Sequence, residues 1–226
     1  MCLLFVILFA AVACDCGDDD PSTSSGQADD DNDDNDDDDT VEADIELIAG
    51  GSPGHNGTSL VLGESGDVYV AAVKGWWLYI YHYTEGKEVS EDLIALHASY
   101  PSLTKDSSGN LHVSYNDTEQ DALAYSTNAS GSWITETVEQ VGWYGGHSSI
   151  AVDGSGNAYI SYRKEGLLFV PVKFATNATD GWTSVTVDSV IFVWDYTTLA
   201  LDGLGFAHMT YNGEDALWYA VFELED

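Results

Sequence analysis

Positive charge is nearly absent from this chain. Its 226 residues carry 6 Lys plus Arg against 39 Asp plus Glu, a formal net charge of −33, and Arg163 is the only arginine. Nucleic-acid binding depends on neutralising phosphates with Lys and Arg, so a nucleic-acid partner is excluded, as is electrostatic docking on anionic lipid. Cysteine is equally scarce. Cys2, Cys14 and Cys16 all lie at the N-terminus, so the rest of the chain must hold together without disulfides. No segment repeats apolar residues at i, i+3, i+4 and i+7 over ten residues, which argues against amphipathic helices. No His-x-x-x-His pair or cysteine cluster suggests a metal, and no cofactor is expected. No G-x-S-x-G supplies a nucleophile elbow. Apolar residues are plentiful, at 44% of the chain with 12% aromatic, and that is ample for a core.

The chain starts with an unbroken apolar run, Leu3 to Ala13. It is too short to span a bilayer as a helix and suits the h-region of a signal peptide. Ala11-Val12-Ala13 stands directly before Cys14, and this junction resembles a bacterial lipobox, with Ala11 where such boxes usually carry Leu. The resemblance implies cleavage before Cys14 and lipidation of that cysteine. Ordinary cleavage after Ala13, giving a free secreted protein, is the alternative. From Asp15 to Thr40 there is no aromatic or β-branched aliphatic residue, so the segment cannot bury enough surface to offset chain entropy and stays disordered. It reads as a tether extended by its own carboxylates. A calcium loop of EF-hand type is not expected there, because DDDNDDNDDDD has neither the turn Gly nor the distal Glu. The division is therefore 1–13 signal peptide, 14–40 lipidated cysteine and acidic linker, and 41–226 folded domain.

Within that domain one phrase is written four times: GESGDVYVAAVK, DSSGNLHVSYND, DGSGNAYISYRK and DGLGFAHMTYNG. Its glycines fall at 66, 109, 156 and 205, spaced by 43, 47 and 49 residues. A period in the forties without a helical pattern is the signature of propeller blades. Each unit reads as a short strand, a Gly-bearing turn, a second strand, a third centred on Tyr125, Phe174 or Tyr219, and a fourth such as Trp133 to Val138 or Trp182 to Val187. His112, Tyr159 and His208 share one strand position, with Tyr69 in the first unit. A histidine that recurs in step with a repeat reads as interblade packing.

STNASGSW (126 to 133) and ATNATDGW (175 to 182) occupy the third turn of the middle units. The domain resembles bacterial propellers of sialidase-type, BNR-like repeats, in which an S-x-D-x-G-x-x-W box makes this turn; here both copies carry Asn for the Asp. The last unit lacks a fourth strand, while Glu42 to Leu47 alternates polar and apolar as a half-buried outer strand does. Four blades of four antiparallel strands, closed by pairing of the N- and C-terminal strands, is the expected all-β architecture. A fragment of a longer propeller is the alternative.

The resemblance implies a sialidase only if three arginines can clamp a carboxylate, and a single arginine cannot. The repeat register instead gathers aromatics on one face, from the loops before strand one and between strands two and three. Those candidates are Trp76, Trp77, Tyr100, Trp143, Tyr144, His147, Arg163, Trp194 and Tyr196. Aromatic rings stack on sugars and anchor protein partners. The expected function is a non-enzymatic binding module for a glycan or an envelope or extracellular protein, monomeric and lipid-anchored at the bacterial cell envelope. A hydrolase of unrecognised type and a structural envelope lipoprotein are the alternatives.

Overall fold

The structure, a computed structural model, describes residues 57–64, 66–142, 147–191, 196–213 and 216–224. The signal, the linker and residues 41–48 lie outside them. Among the described residues the secondary structure is all β, with fifteen strands in four antiparallel sheets that follow the four repeats. The first sheet holds β1 (Thr58–Leu62), β2 (Val68–Lys74), β3 (Trp77–Thr84) and β4 (Lys87–Ala95). The second holds β5 (Ala98–Lys105), β6 (Leu111–Asp117), β7 (Ala122–Thr127) and β8 (Ile134–Gln140). The third holds β9 (Ser149–Val152), β10 (Ala158–Arg163), β11 (Phe169–Thr179) and β12 (Gly181–Ile191). The fourth has β13 (Thr197–Leu201), β14 (Phe206–Gly213) and β15 (Ala216–Glu223). Each is a meander of sequential neighbours, which makes it a blade in the propeller sense.

The repeated phrase is a turn. Asp106 Oδ1 accepts the N–H groups of Ser108 and Asn110 at 2.9 and 2.8 Å, and Asp153 does the same for Ser155 and Asn157 at 2.8 and 2.9 Å. Asp202 repeats it in the last blade for Leu204 and Phe206. The glycine of each phrase sits at φ between 85° and 88°, where a Cβ is strained. The turn between the third and fourth strands of the middle blades is stapled by the Asn that replaces the box aspartate. Asn128 Oδ1 accepts the N–H of Leu111 at 2.8 Å, and Asn177 Oδ1 that of Ala158 at 2.7 Å. The box tryptophans reach back to the preceding blade, Trp133 Nε1 to Asp92 at 3.3 Å and Trp182 Nε1 to Glu136 at 2.8 Å.

β1, β5, β9 and β13 lie side by side in that order. Hydroxyls stitch them: the N–H of Leu103 donates to Ser59 at 2.9 Å, that of Ile150 to Ser102 at 3.2 Å, and that of Leu199 to Ser149 at 3.1 Å. Three apolar clusters fill the three blade boundaries. One contains Ala71, Val73 and Ile80 with Leu103, Val113 and Tyr115; the next Leu123 and Tyr125 with Ile150, Ile160 and Tyr162; the third Val172 and Phe174 with Met209, Tyr211 and Phe222. Phe174 and Phe222 stack across the last boundary at 4.6 Å. His112 is buried in this packing, with Nδ1 2.6 Å from the Tyr125 hydroxyl, whereas His208 is partly exposed on the last blade.

Candidate functional site

The loops that precede β5, β9 and β13 meet on one face, and the loops between second and third strands join them there. The N–H of Ala98 donates to the Trp76 carbonyl at 2.8 Å, that of Thr118 to His97 at 2.7 Å, and that of Glu165 to Val141 at 2.7 Å. This gathering puts three of the expected residues in ring contact. Tyr100 stacks on His147 with centroids 3.8 Å apart, and Tyr196 meets His147 edge-on at 4.6 Å. They hold equivalent repeat positions, just ahead of the inner-strand residues Ser102, Ser149 and Thr198. Tyr100 sits at φ 52° in a β-bulge between Ser99 and Ser102, a backbone that a bulky residue rarely adopts.

Arg163 ends β10 and is only 5% exposed. Burial holds the His147 imidazole below its ordinary pKa and the Arg163 charge adds to that, so the ring is neutral at pH 7 and serves as one donor and one acceptor. Trp76 and Trp77 stand half exposed on the β2–β3 turn, whose Gly75 takes φ 68°. Tyr196 is the most exposed of the ring trio. Trp143, Tyr144 and Trp194 lie outside the described residues, as does Cys14. The blade-three loop adds Leu167, Leu168 and Phe169, all exposed at its tip.

One polar cluster escaped the sequence reading. Glu139 on β8 receives Lys164 Nζ at 2.7 Å and Lys173 Nζ at 2.6 Å, together with the hydroxyls of Tyr162 and Ser184. Burial pushes the Glu139 carboxyl up, but hydrogen bonds from Lys164, Lys173 and Tyr162 outweigh it and bring it down to about 2. The Tyr162 phenol is pushed well above its ordinary value by burial and by Glu139. A carboxylate so stabilised is a poor proton donor. Three of the chain's six cationic side chains therefore fall in one blade, Arg163 at the aromatic face and the two lysines on Glu139. Among the described residues no group of three or more His, Cys, Asp or Glu side chains is placed to hold a metal ion.

No protein-family model matches the chain, and no curated protein does. Solved structures do. A protein of unknown function from Dyadobacter fermentans DSM 18053 superposes with a TM-score of 0.53 at 11% identity over 74% of this chain and 52% of that one. A variant of the NanB sialidase from Streptococcus pneumoniae gives 0.46 at 14% identity over 75% and 32%. A xylan β-1,4-xylosidase from Bacillus halodurans C-125 gives 0.44 at 11% over 73% and 40%. The chain thus spans about half, or less, of these proteins. The likeness is one of fold, a propeller-like stack of antiparallel sheets.

Proposed function

We propose that this chain is a non-enzymatic binding module, taking a glycan or a protein at the face where Tyr100, His147 and Tyr196 converge. The ring trio supports the reading. It presents an apolar stacking surface with a neutral imidazole at its centre, and Trp76 and Trp77 flank it on the neighbouring blade. Stacking on sugar faces and anchoring of protein partners both use such rings. A module of this kind would be carried at the bacterial envelope by a lipid on Cys14 and the acidic linker, with residues 41–48 pairing to β15 as an outer strand beside the three described in the fourth sheet.

A hydrolase reading draws on the sialidase and xylosidase likenesses, which extend only to fold. Glycoside hydrolysis calls for two carboxylates, one with a raised pKa to act as the acid. Glu139 is held down to about 2 by its lysines and Tyr162, the opposite of what that acid needs. The single arginine also rules out a three-arginine clamp.

The deciding experiment is a glycan array run beside a broad glycosidase substrate screen, on the parent and on Tyr196→Ala and Trp77→Ala. Both residues are exposed, so both variants should keep the parent's melting temperature. Truncating a central ring should weaken binding about thirtyfold, for roughly 2 kcal/mol. Turnover of any glycoside in the screen would overturn the reading.

A further inference from the structure

One interface is built three times inside this chain, and its two halves recur on the first and fourth blades. Each blade has a leading face, with Tyr69 and Ala71, His112 and Ser114, Tyr159 and Ser161, or His208 and Thr210. Its trailing face carries the inner-strand Leu60, Leu103, Ile150 or Leu199. Leading meets trailing at all three boundaries, where the hydroxyls of Ser114 and Ser161 reach Ser148 and Thr197 of the next blade, both at 2.8 Å.

Among the described residues nothing from another blade packs on the leading face of the fourth blade. His208 Nδ1 lies 2.5 Å from the Tyr219 hydroxyl and Nε2 3.2 Å from Asp202, which repeats the Asp106–His112–Tyr125 relay of the second blade. The third blade covers that relay and leaves Tyr125 3% exposed, whereas Tyr219 is 47% exposed. Thr198 and Thr210 stand where Ser149 and Ser161 reach onward, yet their hydroxyls turn to each other at 2.6 Å. On the first blade's trailing face Leu60 and Leu62 are 57% and 64% exposed, although Val70 and Tyr81 farther out on it are buried. Among the described residues no apolar cluster joins the fourth blade to the first.

We propose that two copies of the chain pair head to tail, the fourth blade of each on the first blade of its partner, closing one ring of eight blades about a two-fold axis. The partner is a second copy because the leading face is shaped for a trailing face, and Leu60 and Leu62 supply one. Within one chain, among the described residues, no apolar cluster brings the fourth blade onto the first. A second copy leaves the three buried boundaries intact, and two identical head-to-tail contacts cover the fourth blade's leading face and the exposed Leu60 and Leu62. The proposal replaces the monomer expected from the sequence.

The test is the mass of the full chain in excess mild detergent, by sedimentation equilibrium from low to high micromolar concentration. Two chains per particle are expected, and one chain throughout would overturn the proposal. Two double variants then probe the faces, Leu60→Glu with Leu62→Glu, and Leu217→Glu with Tyr219→Glu. Each alone should associate at least tenfold more weakly than the parent. Mixed, the two carry one intact leading and one intact trailing face between them, and a mixed pair should form. Failure of the mixture to associate better than either variant alone would also overturn the proposal. If a double variant unfolds, the parent's mass still decides. No ligand is present and 41–48 is untouched, so the outcome is independent of the binding reading and of the strand reading.

Discussion

Tyr100 holds a left-handed backbone, at φ 52°, while its ring is stacked on His147. Such a conformation costs a bulky residue about 1–2 kcal/mol and persists where surrounding structure imposes it, often at functional positions. Tyr100→Gly should relieve that strain while losing the ring. Thermal unfolding is expected to stay within about 1 kcal/mol of the parent, and binding on the array should fall at least tenfold. A large loss of stability with binding retained would make Tyr100 a packing residue. Glu139 makes a different kind of prediction. Its carboxyl lies at about 2 in the folded chain, below the ordinary 4.5, so the unfolded state binds the proton more readily. The stabilisation is therefore fully present above pH 4.5 and is lost as pH falls toward 2. With solvent screening of a partly exposed cluster it amounts to about 2 kcal/mol. Denaturant titrations at pH 7 and pH 2 should show Glu139→Gln destabilised at the first and the gap to the parent mostly closed at the second.

At the scale of the element, the turns were the most legible part of the sequence. An Asp that caps two N–H groups and a Gly held near φ 85° leave little choice of conformation, so the four phrases mark the four sheets seen among the described residues. Strand lengths were less legible. β5 runs from Ala98, well before the Ser102 at which alternation becomes visible, because Pro101 and the bulge at Ser99–Ser102 break the period of two. The ring trio could be read from repeat register alone, since Tyr100, His147 and Tyr196 precede equivalent strands. The Glu139 cluster could not. Among 39 acidic residues none stands out, and its partners come from a different blade. The box tryptophans link both levels. Trp182 lies edge-on to Tyr125 at 5.1 Å and donates to Glu136, so it packs and bonds across the second boundary. Trp182→Phe should cost about 1 kcal/mol for the lost hydrogen bond, and Trp182→Ala about 3 kcal/mol for the lost ring as well. Equal costs in chemical denaturation would mean that only the hydrogen bond matters.

For the whole molecule the open question is how the fourth sheet ends. β15 is its edge among the described strands, and an edge that offers unpaired backbone groups beside Leu217 and Tyr219 invites pairing with another chain. Glu42 to Leu47 has the alternation that a half-buried outer strand needs, while the Asp tract from Asp29 to Asp39 has nothing to bury. The two segments are neighbours in sequence, yet they should answer deletion in opposite ways. Removing Asp29 to Asp39 should leave thermal unfolding unchanged, because a solvated tether contributes no packing. Removing Val41 to Ile48 should bare the β15 edge and strip a strand's worth of pairing, giving aggregation or a lowering of melting by about 10 °C or more. The comparison is internal, since both deletions shorten the same N-terminal region by a similar length. If both are silent in melting and in light scattering, 41–48 is not the outer strand and the edge of the fourth blade is met by something else.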